Sequence, residues 1–190
     1  MQLIGFEKVK DGKYLKNYEL TYLNKSGREK KYEIVSHSEL READDVGRHM
    51  SGVSIVVTSK DKLLLLKEFR MGVNRKVYNL CAGMIEPGET IEDCVRRELY
   101  EETGLTLTEI VDVLPPAFAA VGITDIKNQM VFARVKETEL AGNHTSDNED
   151  IKAAFYTRDE VAGLVRDSDF SSRAQIVAYL FSKGMLGSGF

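Results

Sequence analysis

The chain has 190 residues, of which 43% are hydrophobic and 29% charged, and a formal net charge of -4 at pH 7. This is enough for one folded domain with a core of its own and a small appendage, with the composition of an ordinary globular protein. The acidic balance argues against a general nucleic-acid binder, which carries a basic excess, and no apolar run approaches the roughly 20 residues of a membrane-spanning helix.

The N-terminus, "MQLIGFEKVKDGKY", shows neither the apolar stretch nor the cleavage site of a secretory signal. The first fifty residues read as β structure. "YLKNYELTYL" alternates in part, "NKSGRE" is a turn, and "KKYEIVSH" alternates again, so the pair predicts a hairpin. "SELREADDVGRHMSG" reads as a polar linker ending at Gly52. "VSIVVTS", the turn "KDK" and "LLLLKEF" predict two buried strands, and after the loop "MGVNRK" the segment "VYNLCAG" predicts another short strand. An acidic segment follows. Beyond it, "LTEIVDVLPP" reads as a strand stopped by Pro115 and Pro116, "NQMVFARV" as another, "ETELAGNHTSDNED" as a long polar loop, and "IKAAFYT" as a strand. Thr157 and Glu160 form a T-x-x-E capping box that opens a helix, and "SSRAQIVAYLFSKG" is a closing helix ended by Gly184. The expected architecture is α/β, with a β-rich N-terminal extension over residues 1–51 and the main domain over 52–190. Cys81 and Cys94 lack metal-like spacing and read as reduced thiols of a cytoplasmic chain.

The acidic segment "GMIEPGETIEDCVRRELYEETGL" predicts a helix from about Thr90 to Thr103. Thr90 can cap it, Glu92 and Asp93 suit the positive end of its dipole, and Gly104 can stop it. Ile91, Val95, Leu99 and Cys94 then share an apolar face. Glu98 and Glu102 stand one above the other, with Glu101 beside them. Like charges at that spacing destabilise an isolated helix by about 0.2–0.5 kcal/mol per pair. A divalent cation with a preference for oxygen would offset this, and Mg²⁺ is commonly held by one or two carboxylates with substrate phosphates. Arg97 and Glu89 can pair and tie the "EPGE" turn to the helix. The bland reading is a solvated helix face balanced by Arg96 and Arg97.

The spacing decides against the bland reading. Gly83, Glu89, Arg97, Glu98, Leu99, Glu101, Glu102, Gly104 and Leu105 match G-x5-E-x7-R-E-U-x-E-E-x-G-U, where U is bulky and apolar, without departure. From average residue usage, a chance match at one start point is on the order of 10⁻⁹ or less. The segment resembles the Nudix box. That resemblance implies an α/β/α sandwich with a mixed sheet. It also implies Mg²⁺- or Mn²⁺-dependent hydrolysis of a nucleoside diphosphate linked to another group. By the same resemblance Glu98 and Glu102 are metal ligands, with the carbonyl of Ala82 another. Glu101 is a further ligand or supporting group, and Arg97 and Glu89 orient the ligands.

Features outside the box resemble ADP-ribose pyrophosphatases and related nucleotide-sugar hydrolases. In those enzymes a β-rich extension dimerises the protein and shapes the nucleoside pocket. "LLLLKEFRMGV" resembles their strand ending in an aromatic–Arg pair, which makes Arg70 a phosphate contact. "TSDNEDIKAAFYTRDEV" resembles their late acidic loop, which implies that Asp147 and Glu149 supply a catalytic carboxylate and a metal contact, in either order; on its own "SDNED" also reads as a wet loop. Gly83, Gly122 and Tyr32 complete the expected substrate contacts, although Tyr32 and Tyr78 also suit a core or sheet face. Two departures stand out: "NLCAG" where these enzymes read E-L-P-A-G, and "FAAVGITD", with Val121 before Gly122, where they carry an S-P-G-like loop. The expected substrate is therefore ADP-ribose or another nucleotide-sugar. The alternatives are a dinucleotide or GDP-sugar pyrophosphatase and a non-catalytic module that senses a nucleotide-sugar. The expected assembly is a homodimer, with no nucleic-acid or membrane partner.

Overall fold

The structure is a computed structural model and describes residues 1–136, 140, 144 and 149–186. It divides into two compact units, Met1–Ser51 with Pro116–Gln129, and Gly52–Pro115 with Met130–Phe190.

In the first unit, β1 (Gln2–Asp11), β2 (Lys16–Leu23) and β3 (Glu29–Ser36) form an antiparallel sheet in that order. The predicted hairpin is β2–β3, with Leu20 opposite Tyr32 and Tyr18 opposite Ile34. β1 is an addition to the sequence reading. Its second half, Glu7–Asp11, is wholly exposed, so it carries no apolar alternation to betray it. One face of the sheet buries Tyr18, Leu20 and Ile34 with Leu40, against Phe6, Tyr22 and Val46. Phe6 stacks on Tyr18 at 5.1 Å, and the Tyr18 hydroxyl accepts from the Leu40 N–H at 2.9 Å. Leu40 lies inside the segment read as a linker, which also contains a short 3₁₀ turn, Ala43–Asp45, and the start of the next strand.

The second unit holds most of β4 (Met50–Ser59), then β5 (Lys62–Arg70), β6 (Arg75–Asn79), β7 (Cys81–Met84), α1 (Ile91–Thr103) and β8 (Leu107–Val113). It also holds most of β10 (Lys127–Val135), then β11 (Ile151–Thr157), α2 (Arg158–Asp167) and α3 (Ser172–Ser182). The two-residue β9 (Ala117–Phe118) lies in the first unit, opposite the start of β10. The main sheet is mixed and runs β11-β5-β4-β10-β8, with β6 and β7 paired to β5 and β4. The buried runs Val53–Val57 of β4 and Leu63–Leu66 of β5 are almost wholly apolar because both faces are covered there. Val53, Ile55, Val57, Leu64 and Leu66 pack on one side with Cys94, Val95 and Leu99 of α1. Val56, Leu63 and Leu65 pack on the other with Val161 of α2 and Ala174, Val177, Ala178 and Phe181 of α3. This is the expected α/β/α sandwich. Among the described residues no helix is long and apolar enough to cross a membrane.

One difference from the sequence reading positions the site. "VYNLCAG" is two strands, not one. β4 and β5 pair only at Thr58–Leu63 and Ser59–Lys62, then separate. β6 takes the edge of β5 from Leu66 to Arg70, and β7 takes the edge of β4 from Gly52 to Ile55. Leu80, 2% exposed, lies between β6 and β7. The switch of partner is invisible in a local pattern because both halves are apolar and extended.

Candidate active site

A cavity of about 430 Å³ lies in the second unit at the C-terminal end of β5, walled also by β7, α1 and residues 149–151. Its walls bring together Arg70, Ala82, Gly83, Glu98, Glu102 and Glu149 from the sequence-predicted set, and add Glu68. Helix α1 presents its carboxylates there for the reasons its sequence gives. Thr90 caps it by accepting from the Asp93 N–H at 3.2 Å, and Gly104 ends it in the left-handed conformation at φ 72°.

Close approach explains the glycine at the start of the box. A Cβ on Gly83 would lie 1.6 Å from Oε1 of Glu98, so only glycine lets that carboxylate rest against β7. Behind it, a Cβ on Gly52 would meet the Gly83 carbonyl oxygen at 2.2 Å.

Arg97 organises one half of the box. Its Nε and Nη2 donate to the two oxygens of Glu89 at 2.9 and 3.0 Å, a bidentate pair. Its Nη1 donates to Glu98 at 2.7 Å and Glu101 at 3.2 Å, and Nη2 also reaches the Met84 carbonyl at 2.9 Å. Glu89 in turn accepts from the Glu86 N–H at 2.9 Å, which fixes the "EPGE" turn. The Arg97 guanidinium holds the Glu89 carboxyl down at about 2.

Glu98 and Glu102 are each only 8% exposed. Burial raises the Glu98 carboxyl above its ordinary value despite Arg97. Among the described residues no Lys or Arg pairs with Glu102. Its Oε2 accepts from the Ala82 N–H at 3.1 Å, and burial, with the charges of Glu98 and Glu68 adding, pushes it up to about 8. Cys81, fully buried beside Glu102, is raised by burial and is a packing thiol; Cys94 is pushed up to about 12 by burial.

The other expected positions are as follows. Tyr32 and Gly122 lie in the first unit, where the Tyr32 hydroxyl donates to the Gly122 carbonyl at 2.7 Å. Tyr32 also lines a mainly apolar hollow of about 250 Å³ with Tyr22, Phe118, Val121 and Asp125. Tyr78 is core, 7% exposed. Asp147 lies outside the described residues. Glu68 was missed by the sequence reading. Alternation along β5 was the available signal, since Glu68 and Arg70 continue the side of Leu64 and Leu66, the side that carries α1.

The donor chemistry suits a hard divalent cation. Two buried carboxylates are raised by burial, and a cation would reverse that cost. Among the described residues no three His, Cys, Asp or Glu side chains are grouped so that they could hold a metal ion by themselves. Mg²⁺ fits such a partial set, since it is commonly completed by substrate phosphates and water.

The Nudix domain model matches residues 48–180, and the chain belongs to the Nudix family. Among curated proteins, the ADP-ribose pyrophosphatase of Escherichia coli (strain K12) is 29% identical over 126 residues, 63% of this chain and 60% of that protein. Putative nudix hydrolase 2 of Caenorhabditis elegans is 30% identical over 138 residues, 70% of this chain and 60% of its own length. The NAD-capped RNA hydrolase NudC of Stutzerimonas stutzeri (strain A1501) is 42% identical over 66 residues, 35% of this chain and 21% of that one. The match thus spans about three fifths of the pyrophosphatase's length. A crystal structure of an ADP compounds hydrolase shares the fold at a TM-score of 0.73 and 21% identity, covering 97% of this chain and 96% of that one.

Proposed function

We propose that this chain hydrolyses the pyrophosphate link of a nucleoside diphosphate derivative, ADP-ribose foremost, to AMP and ribose 5-phosphate. The observation that carries the reading is the cavity in which an undeparted box sets Glu98 and Glu102, buried and raised, beside Arg70 and the Ala82–Gly83 backbone. The similarity to the E. coli ADP-ribose pyrophosphatase favours ADP-ribose among substrates. A sensing module has no need of an intact set of box carboxylates, which favours the enzyme.

In this reading Glu98, Glu102, the Ala82 carbonyl and Glu149 hold Mg²⁺ or Mn²⁺. When bound, the ion supplies neutralising charge for the pyrophosphate and Lewis acidity toward water. Arg70 contacts a phosphate, and Gly83, whose missing side chain admits Glu98, adds a backbone contact to the substrate. Arg97 holds Glu98 and Glu101 in place and is itself held by Glu89. Asp147 or Glu149 takes the proton of the attacking water, with Glu101 the next candidate. Water forms one bond to phosphorus as the bridging P–O bond breaks, so no covalent enzyme intermediate is needed. Tyr32 and Gly122 belong to the nucleoside side of the substrate. The extension over residues 1–51 makes a homodimer, and the two unpaired thiols suit the cytoplasm.

The deciding experiment is turnover with Mg²⁺ across ADP-ribose, ADP-glucose, GDP-mannose, UDP-glucose and NADH. The expected result is fastest hydrolysis of ADP-ribose. Preference for GDP-mannose or NADH would move the chain to a GDP-sugar or dinucleotide pyrophosphatase, and tight binding without turnover would make it a sensor. Light scattering tests the assembly: a mass of one chain, 21.3 kDa, at micromolar concentration would refute the dimer.

A further inference from the structure

We infer that Glu68 is a third carboxylate of the cation-binding cavity, and that Asn79 and Ser171 are the residues that position it. The inference rests on the reading of that cavity as a divalent-cation site. Glu68 is 5% exposed and lines the same cavity as Glu98 and Glu102. An ionised carboxylate so buried is costly unless paired or ligating. Its partners fall short of that. Oε1 accepts from Nδ2 of Asn79 at 2.6 Å, a neutral donor. Among the described residues Oε2 meets Nη1 of Arg70 at 3.5 Å, at the limit of a hydrogen bond, and the Arg70 side chain is 61% exposed.

The Asn79 amide can face Glu68 in one orientation only. Its Oδ1 accepts from the Leu80 N–H at 3.0 Å and from the Ser171 hydroxyl at 2.6 Å. Ser171 is in turn fixed as the cap of α3, accepting from the Ala174 N–H at 3.3 Å, and its own N–H donates to the Tyr78 carbonyl at 3.0 Å. A backbone N–H cannot reverse its role, so the NH₂ of Asn79 must point at Glu68. The chain of bonds runs from the first turn of α3 through Asn79 to a carboxylate in the cavity. This also gives a physical reason for Asn rather than Glu at the head of "NLCAG". A glutamate there would set two carboxylates against each other at the strand pair. Glu68 and Asn79 are a matched pair that keeps one negative charge and fixes where it points. With Oε1 held by Asn79 and Oε2 met only at 3.5 Å by Arg70, the second oxygen can take a water of the cation, a supporting role whose loss costs about 10–100-fold in metal affinity.

The test is Mn²⁺ binding to the full chain without substrate, read from the electron paramagnetic resonance signal of free Mn²⁺, with the melting temperature followed in parallel. Glu68→Gln keeps the shape and the Asn79 bond but removes the charge. It should weaken Mn²⁺ binding about 10-fold or more with the fold intact. Asn79→Ala keeps the charge and releases its holder, and should weaken binding several-fold. Unchanged affinity in Glu68→Gln, beside a clear loss in Glu102→Gln, overturns the role of Glu68 and leaves the cation site standing. No Mn²⁺ binding by the unsubstituted chain overturns both. If Glu68→Gln does not fold, Asn79→Ala decides: unchanged affinity overturns the inference.

Discussion

The two halves of the Nudix box treat the same chemical group in opposite ways. Around Arg97, Glu89 is paired on both oxygens and its carboxyl is held down at about 2. One turn of α1 further on, Glu102 is buried beside Glu68 and Glu98, and its carboxyl is pushed up to about 8. The difference teaches that one half of the motif is compensated by the protein itself, while the other is left for something the chain does not supply. A charge that is satisfied stabilises; a charge that is buried and unsatisfied is a candidate for function.

The largest effect should come from breaking the uncompensated half. Glu102→Gln should lower kcat by about 10²-fold or more, with the fold intact, if a cation there stabilises the transition state. Near-normal turnover at saturating Mg²⁺ would remove Glu102 from the mechanism. Breaking the compensated half should act on stability first. Arg97→Ala leaves Glu89, Glu98 and Glu101 without their shared cation, and a partly buried network of this kind should cost about 2 kcal/mol. Urea unfolding measures it, and a loss within about 0.5 kcal/mol would mean that the pairs contribute only geometry.

The late acidic loop sharpens the comparison from outside the helix. Asp147→Asn or Glu149→Gln should lower kcat by about 10-fold, more than it raises KM, because a base acts in the transition state. Steady-state kinetics on both single variants would show which is the base, and wild-type kcat in both would pass the role to Glu101.

A separate effect is one of pH on the metal-free chain. The Glu102 carboxyl sits at about 8 when folded against an ordinary 4.5. Below that ordinary value both states are protonated and the group costs nothing. As pH rises toward 8 the unfolded chain ionises while the folded chain holds its proton, so stability falls. Glu102→Gln should therefore melt higher than the parent at pH 8, by about 2–4 °C for each kcal/mol recovered. The gain should vanish near pH 4.5, and melting curves at the two pH values check it. An equal shift at both would attribute the gain to packing.

Much of the second unit was legible in the chain. The caps of α1 and α2, the strands "VSIVVTS", "LLLLKEF", "LTEIVDV", "NQMVFARV" and "IKAAFYT" and the box itself are local patterns that the structure meets, whereas "VYNLCAG" divides into two strands. The first unit was less so. β1 is paired through its backbone while seven of its ten residues are exposed, so hydrogen bonds that no side-chain pattern announces define it.

The sequence by itself determined the family, the helix that carries the carboxylates, and the Arg97–Glu89 pairing, because each depends on spacing within some two dozen residues. The tertiary structure decided what those carboxylates experience. Burial of Glu98 and Glu102 depends on β7 lying against α1, and that depends on β4 and β5 parting beyond Leu63. The same parting set Asn79 and Glu68 against each other from separate strands, eleven positions apart, with Ser171 arriving from the far end of the chain. Local periodicity carries no information about which edge a strand will choose, since pairing is settled by the whole sheet closing around its core.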